Sequence, residues 1–182
     1  MGLEPIADDQ LRRFVGPPPK MTYQMIYGLD EATALECVKY HREYGKTKAY
    51  LEADVYEAIP ELLDELRKRG YMLAVATLKK EKIAYQVLEH AGIADRFNAI
   101  VGMNDEETLT KCDTLKIAID KTGADYCLLI GDSIFDYEGA KAAGVDFVGV
   151  TYGFGFTPDE KYEFETVDKL TVEDFLSKLL PA

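Results

Sequence analysis

Two uninterrupted apolar runs, Tyr71–Ala76 (YMLAVA) and Tyr126–Ile130 (YCLLI), restrict the fold of this chain most. A strand with one wet face alternates apolar and polar residues, so a run without alternation is covered on both faces. A helical pattern follows each run. Glu81–Ala91 places Ile83, Ala84, Val87 and Leu88 on one side, and Ile134–Ala143 is rich in Ala and Gly. Shorter strands are expected at Ala99–Gly102 and Phe147–Val150. Between them a helix at Lys111–Lys121 aligns Cys112, Leu115, Ala118 and Ile119. Another helix begins near Pro60, groups Ile59, Leu62, Leu63 and Leu66, and stops at Gly70. Thr171 is expected to cap a last helix to about Leu180. Strands alternating with helices imply right-handed βαβ units in a parallel sheet. Such an α/β sheet binds ligands at the carboxyl ends of its strands.

The first 55 residues read as helices only. Asp8 or Asp9 caps a short helix carrying Leu11, Phe14 and Val15, ended by Gly16 and the prolines after it. A second helix runs from Lys20 to Tyr27 and closes at Gly28. Asp30 caps a third, with Ala34, Leu35 and Val38 on one face and Gly45 as its stop. The expected division is therefore a helical domain over 1–55 and an α/β core over 56–182.

With 21 Lys+Arg against 33 Asp+Glu the net charge is −12. That charge repels phosphate backbones and anionic surfaces, so neither nucleic acid nor membrane is an expected partner. Three scattered cysteines, Cys37, Cys112 and Cys127, form no CxxC pair and read as reduced thiols of a cytoplasmic protein. His41 and His90 fit no zinc spacing. No apolar run suits a membrane span, and the N-terminus has no signal-peptide pattern.

The candidate chemistry lies at the strand tips. The first apolar run leads into Thr77-Leu78-Lys79-Lys80, a hydroxyl and two cations ahead of a helix N-terminus, which suits an anion. The second leads into Gly131-Asp132-Ser133-Ile134-Phe135-Asp136. Gly131 permits close approach, and Asp132 with Asp136, one helical turn on, forms an acidic pair that calls for a cation. Oxygen ligands of this kind suit Mg²⁺. Lys111 opens a helix at the end where the macrodipole disfavours a cation, which points to a role in holding phosphate or neutralising a carboxylate.

Thr77, Lys111 and Gly131-Asp132-Ser133-x-x-Asp136 together resemble the second, third and fourth motifs of the haloacid dehalogenase-like hydrolases. Residues 1–55, with FVGPP at 14–18, look like most of the helical cap of the phosphoglycolate phosphatase-like branch, and Thr151-Tyr152-Gly153-Phe154-Gly155 looks like a loop of that branch. Leu78 stands where the branch usually has Ser or Asn. Lys111-Cys112-Asp113 lacks the common Lys-Pro and also resembles bacterial 5′-nucleotidase-like members. The resemblance implies a Rossmann-like parallel sheet with a small helical cap and Mg²⁺-dependent hydrolysis of a small phosphorylated metabolite through an aspartyl-phosphate. It implies that Thr77, Leu78, Lys79 and Lys111 bind phosphate and that Asp132 and Asp136 bind the metal. Phosphoglycolate is the leading substrate and a nucleoside 5′-monophosphate the runner-up.

The family's nucleophile is the first Asp of an Asp-x-Asp-Gly-Thr strand tip, and this sequence contains no such motif. Asp8-Asp9 follows no apolar strand and lacks the Gly-Thr. By resemblance Met1 falls near the end of the first cap helix, with roughly two dozen residues expected ahead of it. A start assigned too far downstream, or a shortened chain, would account for this. Thr77, Lys111 and Asp132 can position and neutralise phosphate, but phosphoryl transfer also needs a nucleophile. The expectation is therefore a chain inactive or nearly so. The absent strand lies centrally in the family, between those ending at Thr77 and Gly131. Its loss would expose two strand edges and invite self-association, unless the strands close up and pair directly or another chain fills the slot. A non-catalytic phosphate-binding or assembly module is the competing reading. A response-regulator-type phosphoacceptor ranks lower, because the Thr, Lys and acidic pair follow the hydrolase order.

Overall fold

The computed structural model describes residues 1–15, 18–48, 52–168, 171 and 173. Two compact units divide the chain, Met1–Glu52 and Ala53–Ala182. The expected stop at Gly16 and the body of the last helix lie outside the described residues.

The first unit is helical: α1 (Asp8–Leu11), a 3-10 turn (Arg12–Phe14), α2 (Pro19–Tyr27) and α3 (Glu31–Thr47). Pro19 starts α2, where the missing N–H has no intrahelical partner to lose. Gly28 ends it at φ 65°, a left-handed cap in which its N–H donates to the Gln24 carbonyl. Asp30 caps α3 by accepting the Thr33 N–H at 2.8 Å. Gly45 does not end α3 as expected. It keeps a negative φ, so the helix runs on to Thr47, whose hydroxyl donates to the Glu43 carbonyl. Between α2 and α3, Thr22, Ala34, Cys37 and Val38 are buried, whereas Leu35 is exposed. The face is thus centred on Cys37 rather than Leu35. Tyr23 packs edge-on to Phe14 and His41 and stacks on Tyr27.

The second unit contains α4 (Ile59–Lys68), β1 (Ala74–Lys80), α5 (Glu81–His90), a 3-10 turn (Ala94–Arg96), β2 (Ala99–Met103), α6 (Lys111–Thr122), β3 (Leu128–Gly131), α7 (Ile134–Ala143), β4 (Asp146–Val150) and β5 (Glu165–Val167). All strand pairs are parallel. Ala76 lies opposite Val101 in the β1–β2 pair, and Gly131 lies opposite Gly149 in the order β3-β4-β5. The short β5 was not expected from the sequence. One core cluster joins Leu62 and Leu66 of α4 to Val148, Val150 and Val167. Burying each such side chain stabilises by about 1.5–3 kcal/mol. An aromatic group, Tyr137, Phe147, Phe156, Tyr162 and Phe164, packs beside β4. Gly149 makes room for it, since a Cβ there would come within 2.8 Å of the Phe164 ring.

The sheet has two halves. Among the described residues β1 and β3 do not pair with each other, so each keeps one edge without a strand. Direct closure of β1 onto β3, one of the expected outcomes, does not occur. The physical reason lies above the strands. Helix α6 packs on β1, β2 and α7 together, and holds the halves at the spacing of its own contacts. The Leu73 carbonyl accepts the Asn98 N–H at 2.7 Å, so carbonyls of the opposite parity, including Ala76, face the open edge. Ala76 finds its donor there in a side chain, Lys111, rather than in a strand.

Candidate functional site

Lys111 owes its position to a capping box. The Thr110 hydroxyl accepts the Asp113 N–H at 3.2 Å, and the Asp113 carboxylate accepts the Thr110 N–H at 2.8 Å. Lys111 is thereby the first residue of α6, and its stem turns inward across Gly139 of α7. A Cβ at Gly139 would come within 2.8 Å of Lys111 Cβ. The ammonium donates to the Ala76 carbonyl at 2.6 Å and pairs with Asp136 Oδ1 at 2.7 Å. The Lys111 and Asp136 side chains are only 12% and 14% exposed. The cation disfavoured by the helix dipole is therefore held by a carboxylate and a strand-edge carbonyl.

Asp136 is the third residue of α7, in a second capping box. Its Oδ2 accepts the Ser133 N–H at 3.1 Å and the Ser133 hydroxyl at 2.6 Å. Gly131 lets the β3 tip lie against it, since a Cβ there would meet Asp136 Cγ at 2.8 Å. Sequence reasoning missed Ser133. The S-x-x-D spacing of Ser133 and Asp136 was the available signal.

Asp132 takes a separate path. Its Oδ2 accepts the Phe154 N–H at 2.9 Å, and its backbone carbonyl accepts the Gly155 N–H at 2.9 Å. Among the described residues Oδ1 receives no hydrogen bond. The Gly153-Phe154-Gly155 spacing was the sequence signal for this contact.

Thr77, Leu78 and Lys79 lie within β1, whose register is irregular between Ala76 and Lys80. The helix behind Thr77 begins at Glu81, as expected, so Thr77 lies four residues ahead of its N-terminus. The Thr77 hydroxyl oxygen accepts the Lys79 N–H at 3.1 Å, which leaves the hydroxyl proton to donate elsewhere. Lys80 does not reinforce an anion site. Its ammonium pairs with Asp105 at 3.6 Å and Glu107 at 3.4 Å, drawn off by the acidic turn that follows β2.

The structure thus links the β1 tip, Lys111, Asp136 and Ser133 in one polar chain, with Asp132 on the same β3–α7 turn. The two members of the expected metal pair differ in their contacts. Both Asp136 oxygens are engaged, Oδ1 by the ammonium and Oδ2 by Ser133. Asp132 Oδ1 is the one carboxylate oxygen of the pair left open to a cation. Mg²⁺ fits that donor set, because it takes one or two carboxylates and fills its octahedron with water and phosphate oxygens. Among the described residues no group of three or more His, Cys, Asp or Glu side chains forms a ready metal cage.

Tyr152 borders the site from the turn after β4, which also carries Phe154. Burial first, then Tyr56 and the Asp132 charge, push its phenol up to about 12. Below pH 10, its ordinary value, folded and unfolded chains both hold the proton. Between about 10 and 12 the unfolded chain loses it first, so stability falls as pH rises. Tyr152→Phe is expected to flatten that decline, read by urea titration at stepped alkaline pH. An unchanged slope would contradict the burial of the phenol.

A family profile described as haloacid dehalogenase-like hydrolase matches residues 1–150. Over 149 residues the chain is 39% identical to a 5′-nucleotidase of Pseudomonas aeruginosa, covering 80% of this chain and 67% of that one. Over 190 residues it is 32% identical to a phosphoglycolate phosphatase of Agrobacterium fabrum, covering 100% of this chain and 79% of the relative. The solved structure of protein tyrosine kinase A of Mycobacterium tuberculosis superposes with a TM-score of 0.81 at 27% identity, covering 96% of this chain and 83% of that one. Against some curated relatives this chain spans about half of their length, 51%. No helix among the described residues is long and apolar enough to cross a membrane.

Proposed function

The chain belongs to the haloacid dehalogenase-like hydrolases, and on that premise we propose that its strand-tip site handles a phosphate monoester with Mg²⁺. The observation that carries this reading is the buried Lys111–Asp136 pair at the β1 tip, beside Asp132 with one free carboxylate oxygen. In this reading Asp132 holds the cation, Thr77 donates its hydroxyl proton to a phosphate oxygen, and Leu78 and Lys79 complete the β1 side of the phosphate site. Lys111 neutralises charge and ties the β1 tip to α7. Bound Mg²⁺ supplies charge neutralisation for the phosphate oxygens. The 182 residues contain no Asp-x-Asp-Gly-Thr strand tip. We therefore read the chain by itself as binding phosphate and Mg²⁺ without appreciable turnover.

Phosphoglycolate is the leading substrate, supported by the 32% identical relative that covers the whole chain. A nucleoside 5′-monophosphate is the second reading, favoured by the 39% identity to a 5′-nucleotidase. Calorimetry with Mg²⁺ and inorganic phosphate tests the common core. Asp132→Asn is expected to weaken Mg²⁺ binding at least tenfold, because it removes the charge and, of the Asp132 and Asp136 oxygens, the one that accepts no hydrogen bond among the described residues. Unchanged Mg²⁺ affinity in that variant would refute the reading. Competition of phosphoglycolate against AMP for the site then separates the two substrates.

A further inference from the structure

We infer that the turn Thr151–Gly155 is a positioning element that fixes Asp132 so that a single carboxylate oxygen faces the cation, which selects Mg²⁺ over Ca²⁺. The two ends of Asp132 are gripped by successive peptides of the turn. Phe154 N–H holds Oδ2 at 2.9 Å and Gly155 N–H holds the backbone carbonyl at 2.9 Å. Two glycines make this approach possible. A Cβ at Gly153 would collide with Asp132, reaching its Cγ at 2.7 Å. A Cβ at Gly155 would collide with the Asp132 carbonyl and lie 3.1 Å from Ser133 Cα. Any side chain at 153 must therefore displace the carboxylate or the turn, and cannot do so by moving a flexible tip.

The consequence follows from ligand geometry. Ca²⁺ accepts carboxylates through both oxygens in a loose shell of six to eight ligands, whereas Mg²⁺ takes one oxygen in a strict octahedron. With Oδ2 drawn onto a peptide N–H, Asp132 offers Oδ1 alone. The turn thus costs a large cation one ligand and costs Mg²⁺ none. The selectivity rests on the Mg²⁺ reading above, while the grip on Asp132 rests on geometry alone.

The test uses the full chain, Gly153→Ala, and Phe154→Pro, which deletes the N–H without adding a side chain at 153. Far-UV circular dichroism confirms folding. Calorimetry measures Mg²⁺ and Ca²⁺ separately, and NMR measures exchange of the Phe154 amide in the metal-free protein. The expected result is a protected Phe154 amide and preference for Mg²⁺ in the parent chain. At least one folded variant should then lose tenfold or more in Mg²⁺ affinity, with a smaller loss for Ca²⁺. A smaller Mg²⁺ change in both variants, or an equal loss for both ions, overturns the inference. So does a Phe154 amide that exchanges as freely as an unstructured one. A protected amide in a parent chain that binds neither ion removes the Mg²⁺ reading, and the selectivity with it.

Discussion

Given p-nitrophenyl phosphate and Mg²⁺, the 182-residue chain is expected to turn over at least about a thousandfold more slowly than the same chain preceded by an apolar strand ending in Asp-x-Asp-Gly-Thr. The argument is chemical and structural. Thr77, Lys111 and Asp132 can bind and neutralise, but removing a nucleophile costs far more than removing a binding contact. Among the described residues β1 and β3 do not pair, and the Ala76 carbonyl faces the edge of β1 away from β2. An added strand would satisfy both edges and carry its carboxyl end toward Lys111. Sedimentation provides a second reading of the same pair of proteins. We propose that the unpaired edges drive association of the shorter chain, so the extended chain should be the more monomeric. Ordinary turnover by the 182-residue chain, abolished by Asp132→Asn, would show that it holds a nucleophile of its own and would overturn the expectation.

Lys111→Met is expected to destabilise the chain by about 3–5 kcal/mol, the usual cost of leaving one partner of a buried pair uncompensated. For a protein of this size that corresponds to a fall in Tm of roughly 10 °C. The ammonium is shared between Asp136 and the Ala76 carbonyl, so its loss also leaves a strand-edge acceptor without its donor. Met keeps the length of the stem that crosses Gly139, so packing changes little. Adding Asp136→Asn should restore part of the loss, since it removes the stranded charge while keeping an acceptor for Ser133. A urea-denaturation cycle over the four proteins measures the coupling. Coupling below about 0.5 kcal/mol, the level of independent sites, would mean that the pair does not tie β1 to α7.

The element types were legible because they depend on local pattern. Ile134–Ala143 is helical with the expected bounds, and both apolar runs feed parallel strands. The strands of the two apolar runs nonetheless shifted toward their carboxyl ends. β1 begins at Ala74 and continues through Lys80, so polar residues expected in a loop belong to the strand. Hydrophobicity marks which residues are covered, whereas strand assignment follows backbone pairing, and Ala99 pairs with Ala74 rather than Tyr71. Gly45 shows the same limit. A glycine permits a left-handed stop but does not impose one.

Residue types and spacing alone singled out Thr77, Lys111, Asp132 and Asp136, because strand tips and helix starts place such groups where ligands bind. What each group does was decided in three dimensions. Asp136 is spent on Lys111 and Ser133, Lys80 is drawn to Asp105 and Glu107, and Asp132 is gripped by a turn some twenty residues further on. These are contests for hydrogen bonds and charge between segments distant in the chain. Local periodicity carries no record of such contests, and they are resolved only when packing brings the competing partners within about 3 Å of one another.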